Sequence, residues 1–64
     1  MTDFYIIHHG SVVSITPISQ NGWEWLIEYV GAEPWQWIGN SLVIDYRTST
    51  AIIDAIEKAG LIIE

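Results

Sequence analysis

Apolar and polar positions change their period several times along the chain. Phe4 to Ile7 and Val12 to Ile15 are aromatic and β-branched, a composition that suits strands. Between them lies His8-His9-Gly10-Ser11. Gly10 makes either a tight hairpin turn or a bulge in one long bent strand, and the hairpin is the favoured reading. Pro17 ends the pairing because it has no N–H to donate.

From Gly22 to Val30 the period lengthens. Trp23, Leu26, Ile27 and Val30 match the i, i+3, i+4, i+7 template of an amphipathic helix. Asn21 can cap it, Glu24 then sits at the third helical position, and Gly31 suits the left-handed residue after the last turn. A competing strand reading places Trp23, Trp25, Ile27 and Tyr29 on one face, with Asn21-Gly22 as a hairpin turn. The start and stop signals agree with the helix.

Trp35 to Ile38 and Ser41 to Tyr46 read as strands around the two-residue loop Gly39-Asn40. Leu42, Ile44 and Tyr46 face one way, and Ser41, Val43 and Asp45 the other. A second helix runs from about Thr48 to Ala59, with Ile52, Ala55, Ile56 and Ala59 as its core face. Asp54 and Lys58 pair in the favourable order one turn apart, and Gly60 ends the helix. Leu61-Ile62-Ile63 reads as a closing strand. This order predicts a single α+β domain over residues 1–64. Its simplest form is a two-layer sandwich: a mostly antiparallel sheet of four to five short strands with two helices on one face.

Composition narrows the functional classes. Two basic residues stand against eight acidic ones, for a formal charge of −6. Arg47 and Lys58 cannot build the basic patch that phosphate neutralisation needs, so direct nucleic-acid binding is not expected. An anionic membrane surface is disfavoured for the same reason, and no apolar run reaches the length of a membrane-spanning helix. The absence of Cys removes disulfides and thiolate-bound zinc together. Met1-Thr2-Asp3 lacks the basic start of a signal peptide, so the cytoplasm is the expected compartment. Half of the residues are hydrophobic, which argues against disorder and for dense packing or self-association.

Five short runs carry a resemblance. They are Thr16-Pro17, Trp25-Leu26, Trp37-Ile38-Gly39-Asn40, Leu42-Val43-Ile44 and, after a helix, Ala59-Gly60-Leu61. Over residues 14 to 62 the chain resembles small α+β proteins of phages and prophages, none of whose motifs carries known chemistry. In that pattern the positions of Trp23 and Ile27 are usually polar, so this chain departs from it there. The resemblance implies a cytoplasmic role in a bacterial host. It also implies an anti-defence activity, such as inhibition of a CRISPR or restriction complex.

The first helix holds the candidate site. Trp23, Trp25, Leu26, Ile27, Tyr29 and Val30 are six large apolar residues within eight positions. One buried stripe covers little more than about 100° of a helix, too little for all six. If Trp23, Leu26, Ile27 and Val30 face the core, Trp25 and Tyr29 are exposed. If Trp25, Leu26 and Tyr29 face it, as the resemblance implies, Trp23 and Ile27 are exposed. Either choice leaves an aromatic beside Glu24 and Glu28, and aromatic anchors bordered by charge are what protein interfaces favour. Trp23, Glu24, Ile27 and Glu28 are therefore the candidate partner-binding residues, with Trp25 and Tyr29 as the alternative face. Glu28 adds a local conflict, lying one turn after Glu24 and at the anion-averse end of the helix.

Other constellations carry less. His8 and His9 are adjacent on a strand and point to opposite faces, so they do not chelate a metal; one packed and one exposed His is the expectation. Trp35 and Trp37 share a strand face after Pro34 and are expected to pack against a helix. No phosphate loop, zinc-protease motif or linked triad is present, and neither a cofactor nor catalysis is expected, although Asp45 can meet His8 or His9 in space. The leading expectation is an acidic protein-binding inhibitor or modulator whose partner has a basic surface. Two alternatives stay open. One is a self-associating structural or accessory protein, closed as a homodimer. The other is a DNA mimic in which Glu24, Glu28, Glu33 and Asp45 line one face.

Overall fold

The computed structural model describes residues 1–31 and 35–64. Within them the chain runs twice through the order strand, strand, helix. The first pass is β1 (Phe4–His9), β2 (Val12–Pro17) and α1 (Gln20–Val30). The second is β3 (Trp37–Ile38), β4 (Ser41–Asp45) and α2 (Tyr46–Lys58). The strands form a four-stranded sheet in the order β1-β2-β4-β3, with every neighbouring pair antiparallel. This is the expected α+β two-layer arrangement, with four strands.

Strand alternation decides the core. Phe4, Val13, Ile15, Leu42 and Ile44 project from one sheet face and pack against Leu26 and Val30 of α1 and Ile52 and Ile56 of α2. All nine are buried. The opposite face carries Tyr5, Ile7, His9, Val12 and Asp45, all exposed.

Both hairpins close on the same turn chemistry. His9 pairs with Val12 and Ile38 with Ser41, leaving two-residue loops that begin with Gly10 and Gly39. These glycines have φ of 75° and 60°, and among the described residues no non-glycine residue has a positive φ. A left-handed first loop residue followed by an ordinary second one is the type II′ pattern, which suits the twist of paired strands. Residues 4–17 are thus a hairpin and not one bent strand.

Several boundaries differ from the sequence reading. The α1 cap is Ser19, not Asn21: its hydroxyl accepts from the Gly22 N–H at 2.9 Å, and the helix starts at Gln20. Ser19 wins because its backbone is extended while Asn21 is already helical. β4 passes into α2 without a linker, so α2 starts at Tyr46 and not Thr48. Asp45 caps it, bonding both the hydroxyl and the N–H of Thr48. Tyr46 is consequently helical and exposed and does not share a face with Leu42 and Ile44. On α2 the buried set is Ser49, Ile52 and Ile56, while Ala59 is exposed at the cap. Ser49 tolerates burial because its hydroxyl donates to the Tyr46 carbonyl at 2.7 Å. Trp35 and Gln36 precede β3 and do not belong to it, and Pro34 lies outside the described residues. The expected strand Leu61–Ile63 is reduced to a single parallel bridge between Ile63 and Phe4. The Asp54–Lys58 pair forms at 3.0 Å with both side chains exposed, so it contributes only a few tenths of a kcal/mol.

The chain ends and the start of α1 meet at Asp3. Its carboxylate accepts from the Ser19 hydroxyl through Oδ1 and from the Ile62 N–H through Oδ2 at 2.8 Å. Its carbonyl accepts from the Ile18 N–H, and its own N–H donates to the Ile62 carbonyl, both at 2.8 Å. Glu64 continues the clasp by donating its N–H to the Phe4 carbonyl. The helix crosses so close to this strand that a Cβ at Gly22 would lie 2.6 Å from the Asp3 carbonyl oxygen.

Two predictions follow from this clasp. In an open helix, Gly→Ala stabilises by roughly 1 kcal/mol. At Gly22 the sign reverses: Gly22→Ala lowers stability by about 1–3 kcal/mol, read from urea midpoints, because backbone must move. The Ser19 hydroxyl, then the Ile62 N–H, hold the Asp3 carboxyl below its ordinary pKa against the opposing effect of desolvation. Asp3 ionisation therefore stabilises the fold fully above its unfolded pKa near 4, and the gain is lost as pH falls through the lower folded value. The stability advantage of the native chain over Asp3→Asn is expected to be constant above about pH 5 and to shrink below about pH 4, read by denaturant unfolding at each pH.

Candidate functional site: the ridge of the first helix

At about 100° per residue, Gly22, Leu26 and Val30 form one narrow stripe, and they are the buried residues of α1. Gly22 lets the helix settle low on Asp3 and Phe4. That placement leaves room for neither of the wide apolar faces expected from the sequence. Trp23 and Ile27 fall on one shoulder of the stripe, and Tyr29 and Trp25 on the other. Glu24 and Glu28 stand on the ridge between the shoulders, both exposed.

The two shoulders differ in support. Trp23 rests on Trp37 of β3, with ring centroids 5.4 Å apart and planes tilted by 58°. It remains 42% exposed, as does Ile27. Beside Trp23 an open groove of about 310 Å³ is lined by Pro17, Ile18, Ser19, Gln20 and Asn40. On the other shoulder Trp25 meets the edge of Phe4 at 6.1 Å and stacks on Tyr29 at 4.9 Å with an interplanar angle of 14°. Trp25 is half-buried, whereas Tyr29 is 47% exposed. A second open groove of about 270 Å³ lies among Trp25, Tyr29 and Glu28. Gln20 donates to Glu24 at 3.1 Å, which steadies one ridge carboxylate.

The alternatives set by the sequence were either Trp23 with Ile27 or Trp25 with Tyr29 at the surface. The fold exposes Trp23, Ile27 and Tyr29 together and half-buries Trp25. The reason is the narrow stripe that starts at Gly22, a residue that a search for apolar periodicity passes over. Trp35 and Trp37 pack against the core as expected, and the Trp35 indole N–H donates to the Val30 carbonyl at the end of α1, at 3.2 Å.

The remaining chemistry-bearing residues are scattered or engaged. His8 and His9 are both exposed, so the expectation of one packed His does not hold. Both sit next to the turn that closes the first hairpin. The His8 ring lies 6.5 Å from Tyr46, and His9 Nε2 lies 3.3 Å from the Ser14 hydroxyl. The Asp45 carboxylate is held by Thr48, which lowers its pKa through the Thr48 hydroxyl first; it bonds neither His. Among the described residues no three His, Asp or Glu side chains gather closely enough to hold a metal ion. No helix among them is long and apolar enough to cross a membrane.

Comparison with protein-family models, curated proteins and solved structures finds no match for this chain.

The two shoulders are expected to separate in stability measurements. Ile27→Asp changes stability by less than about 0.5 kcal/mol, as at ordinary surface sites. Trp25→Ala removes the ring against buried Phe4 and costs about 2 kcal/mol or more, with urea unfolding as the readout.

Proposed function

We propose that this chain is a small acidic protein-binding module that docks through the ridge of α1. The observation that carries the reading is the exposure of Trp23, Ile27 and Tyr29 around Glu24 and Glu28. Large rings supported from below are rigid anchors with little entropy left to lose on binding. The carboxylates between them favour a partner with a basic surface and speed its encounter. Together with the resemblance of its short runs to phage and prophage proteins, this favours an inhibitor or modulator of a host complex. An anti-defence role against a basic, nucleic-acid-handling assembly fits the charge best.

The distribution of acids favours aromatic-led docking over DNA mimicry. Glu24 and Glu28 lie on α1, Asp54 and Glu57 on α2, and Asp45 at the α2 cap. Glu33, a further candidate for a mimic, lies outside the described residues.

Affinity purification of the tagged chain from a bacterial host is the direct test. The native chain is expected to retain a partner that Trp23→Ala and Ile27→Asp lose while still unfolding cooperatively. Retention of the same partner by both folded variants and by Tyr29→Ala would sink the reading.

A further inference from the structure

Glu28 occupies a position that disfavours a carboxylate. It lies one turn after Glu24 and near the C-terminus of α1, the negative end of the helix dipole. No basic residue stands in that last turn to offset it. Both cations of the chain belong to α2, where Lys58 pairs with Asp54 and Arg47 sits in the first turn. Glu24 accepts from Gln20, whereas among the described residues no side chain bonds or pairs with the Glu28 carboxylate.

That carboxylate borders the stacked rings of Trp25 and Tyr29. Positions 25, 28 and 29 are spaced i, i+3, i+4, which makes the three side chains neighbours on the helix surface. Together they line the groove of about 270 Å³. Contact with buried Phe4 fixes Trp25 from below, and stacking at 14° fixes Tyr29 in turn. Aromatic faces, a carboxylate and the C-terminal end of a helix each attract a cation, and here they converge. The groove beside Trp23 is different, since its polar walls are Ser19, Gln20 and Asn40, with no carboxylate among them.

We propose that Trp25, Glu28 and Tyr29 form a site for an arginine side chain of the protein partner. The proposal rests on docking through the α1 ridge and names what the partner inserts there. The guanidinium stacks on the exposed Tyr29 ring and forks onto the Glu28 carboxylate. Its planar, delocalised charge suits both contacts at once. A lysine ammonium is compact and strongly hydrated, so it gains less from an open, flat surface. A methylated ammonium is held by a cage of rings, and this groove offers one stacked pair.

Titration with two peptides of matched length, one of arginines and one of lysines, tests the site by NMR. The arginine peptide is expected to shift the Trp25 indole N–H and the Glu28 amide. It is also expected to bind about threefold more tightly than the lysine peptide. Glu28→Gln and Tyr29→Leu, both at exposed positions, keep the fold and abolish that preference. Asp54→Asn removes the same charge from α2, weakens both peptides alike and leaves the preference intact. Equal affinity for the two peptides overturns the proposal. So does a preference that survives both Glu28→Gln and Tyr29→Leu, or a set of shifts centred on Trp23 instead. Ridge docking is read separately, because the titration needs no natural partner. A partner lost by Trp23→Ala and Ile27→Asp but kept by Glu28→Gln and Tyr29→Leu removes the arginine site and leaves ridge docking standing.

Discussion

The carboxylate and backbone of Asp3 hold together three parts of the chain that would otherwise fray. Ser19, which caps α1, is fixed by the Asp3 carboxylate, and the same carboxylate takes the Ile62 N–H. Ile18 is held by the Asp3 carbonyl. The helix start, the first strand and the C-terminal segment are thus registered to one residue. A domain this small has no disulfide to perform that task, and its core, nine buried hydrophobic residues among those described, is modest. The two hydrogen bonds to the carboxylate are charge-assisted, which makes each stronger than a neutral one.

The position of α1 follows from that clasp. With Asp3 anchored to Ile18 and Ser19, the first turn of α1 passes directly over the β1 backbone, and only glycine fits at position 22. Close approach at one end narrows the buried stripe to Gly22, Leu26 and Val30. The apolar bulk that remains on both sides is then displayed around Glu24 and Glu28. The surplus of aromatics on the ridge is therefore a consequence of how the helix is seated.

Charge and exposure divide the molecule into two layers with different prospects. The helices carry Glu24, Glu28, Asp54 and Glu57 beside the supported aromatics, the combination on which the proposed docking rests. The sheet layer is open on one face, where Asp45 is exposed, and bounded on one side by β1, whose start is covered by residues 62–64. Each hairpin ends in a glycine turn, and each helix is capped by a short polar side chain, Ser19 or Asp45. The same local devices thus appear in both strand-strand-helix passes, although the residues that use them differ.

Local signals in the sequence favoured the two hairpins, the two helices and their order, because turn glycines, proline and apolar periodicity act within a few residues; a bent first strand and a strand in place of α1 stayed open beside them. They also pointed to Leu26, Ile52 and Ile56 as core-facing, with Val30 joining them in one of the two rotations left open for α1, and showed that α1 carries more apolar bulk than one stripe can bury. What they left open were the contacts made across long stretches of chain. Ser19 became the cap in place of Asn21 because Asp3, sixteen positions away, fixes its hydroxyl. Leu61 to Ile63 read as a strand but forms one bridge, since Ile63 meets β1 only at its first residue, Phe4. The shoulders of α1 were not legible because its rotation depends on Gly22 meeting the Asp3 carbonyl, a contact that no periodicity records. Sequence alone pointed to the elements that form; tertiary structure decided how the first helix sits and which aromatic rings it exposes, because that depends on steric contact between segments distant along the chain.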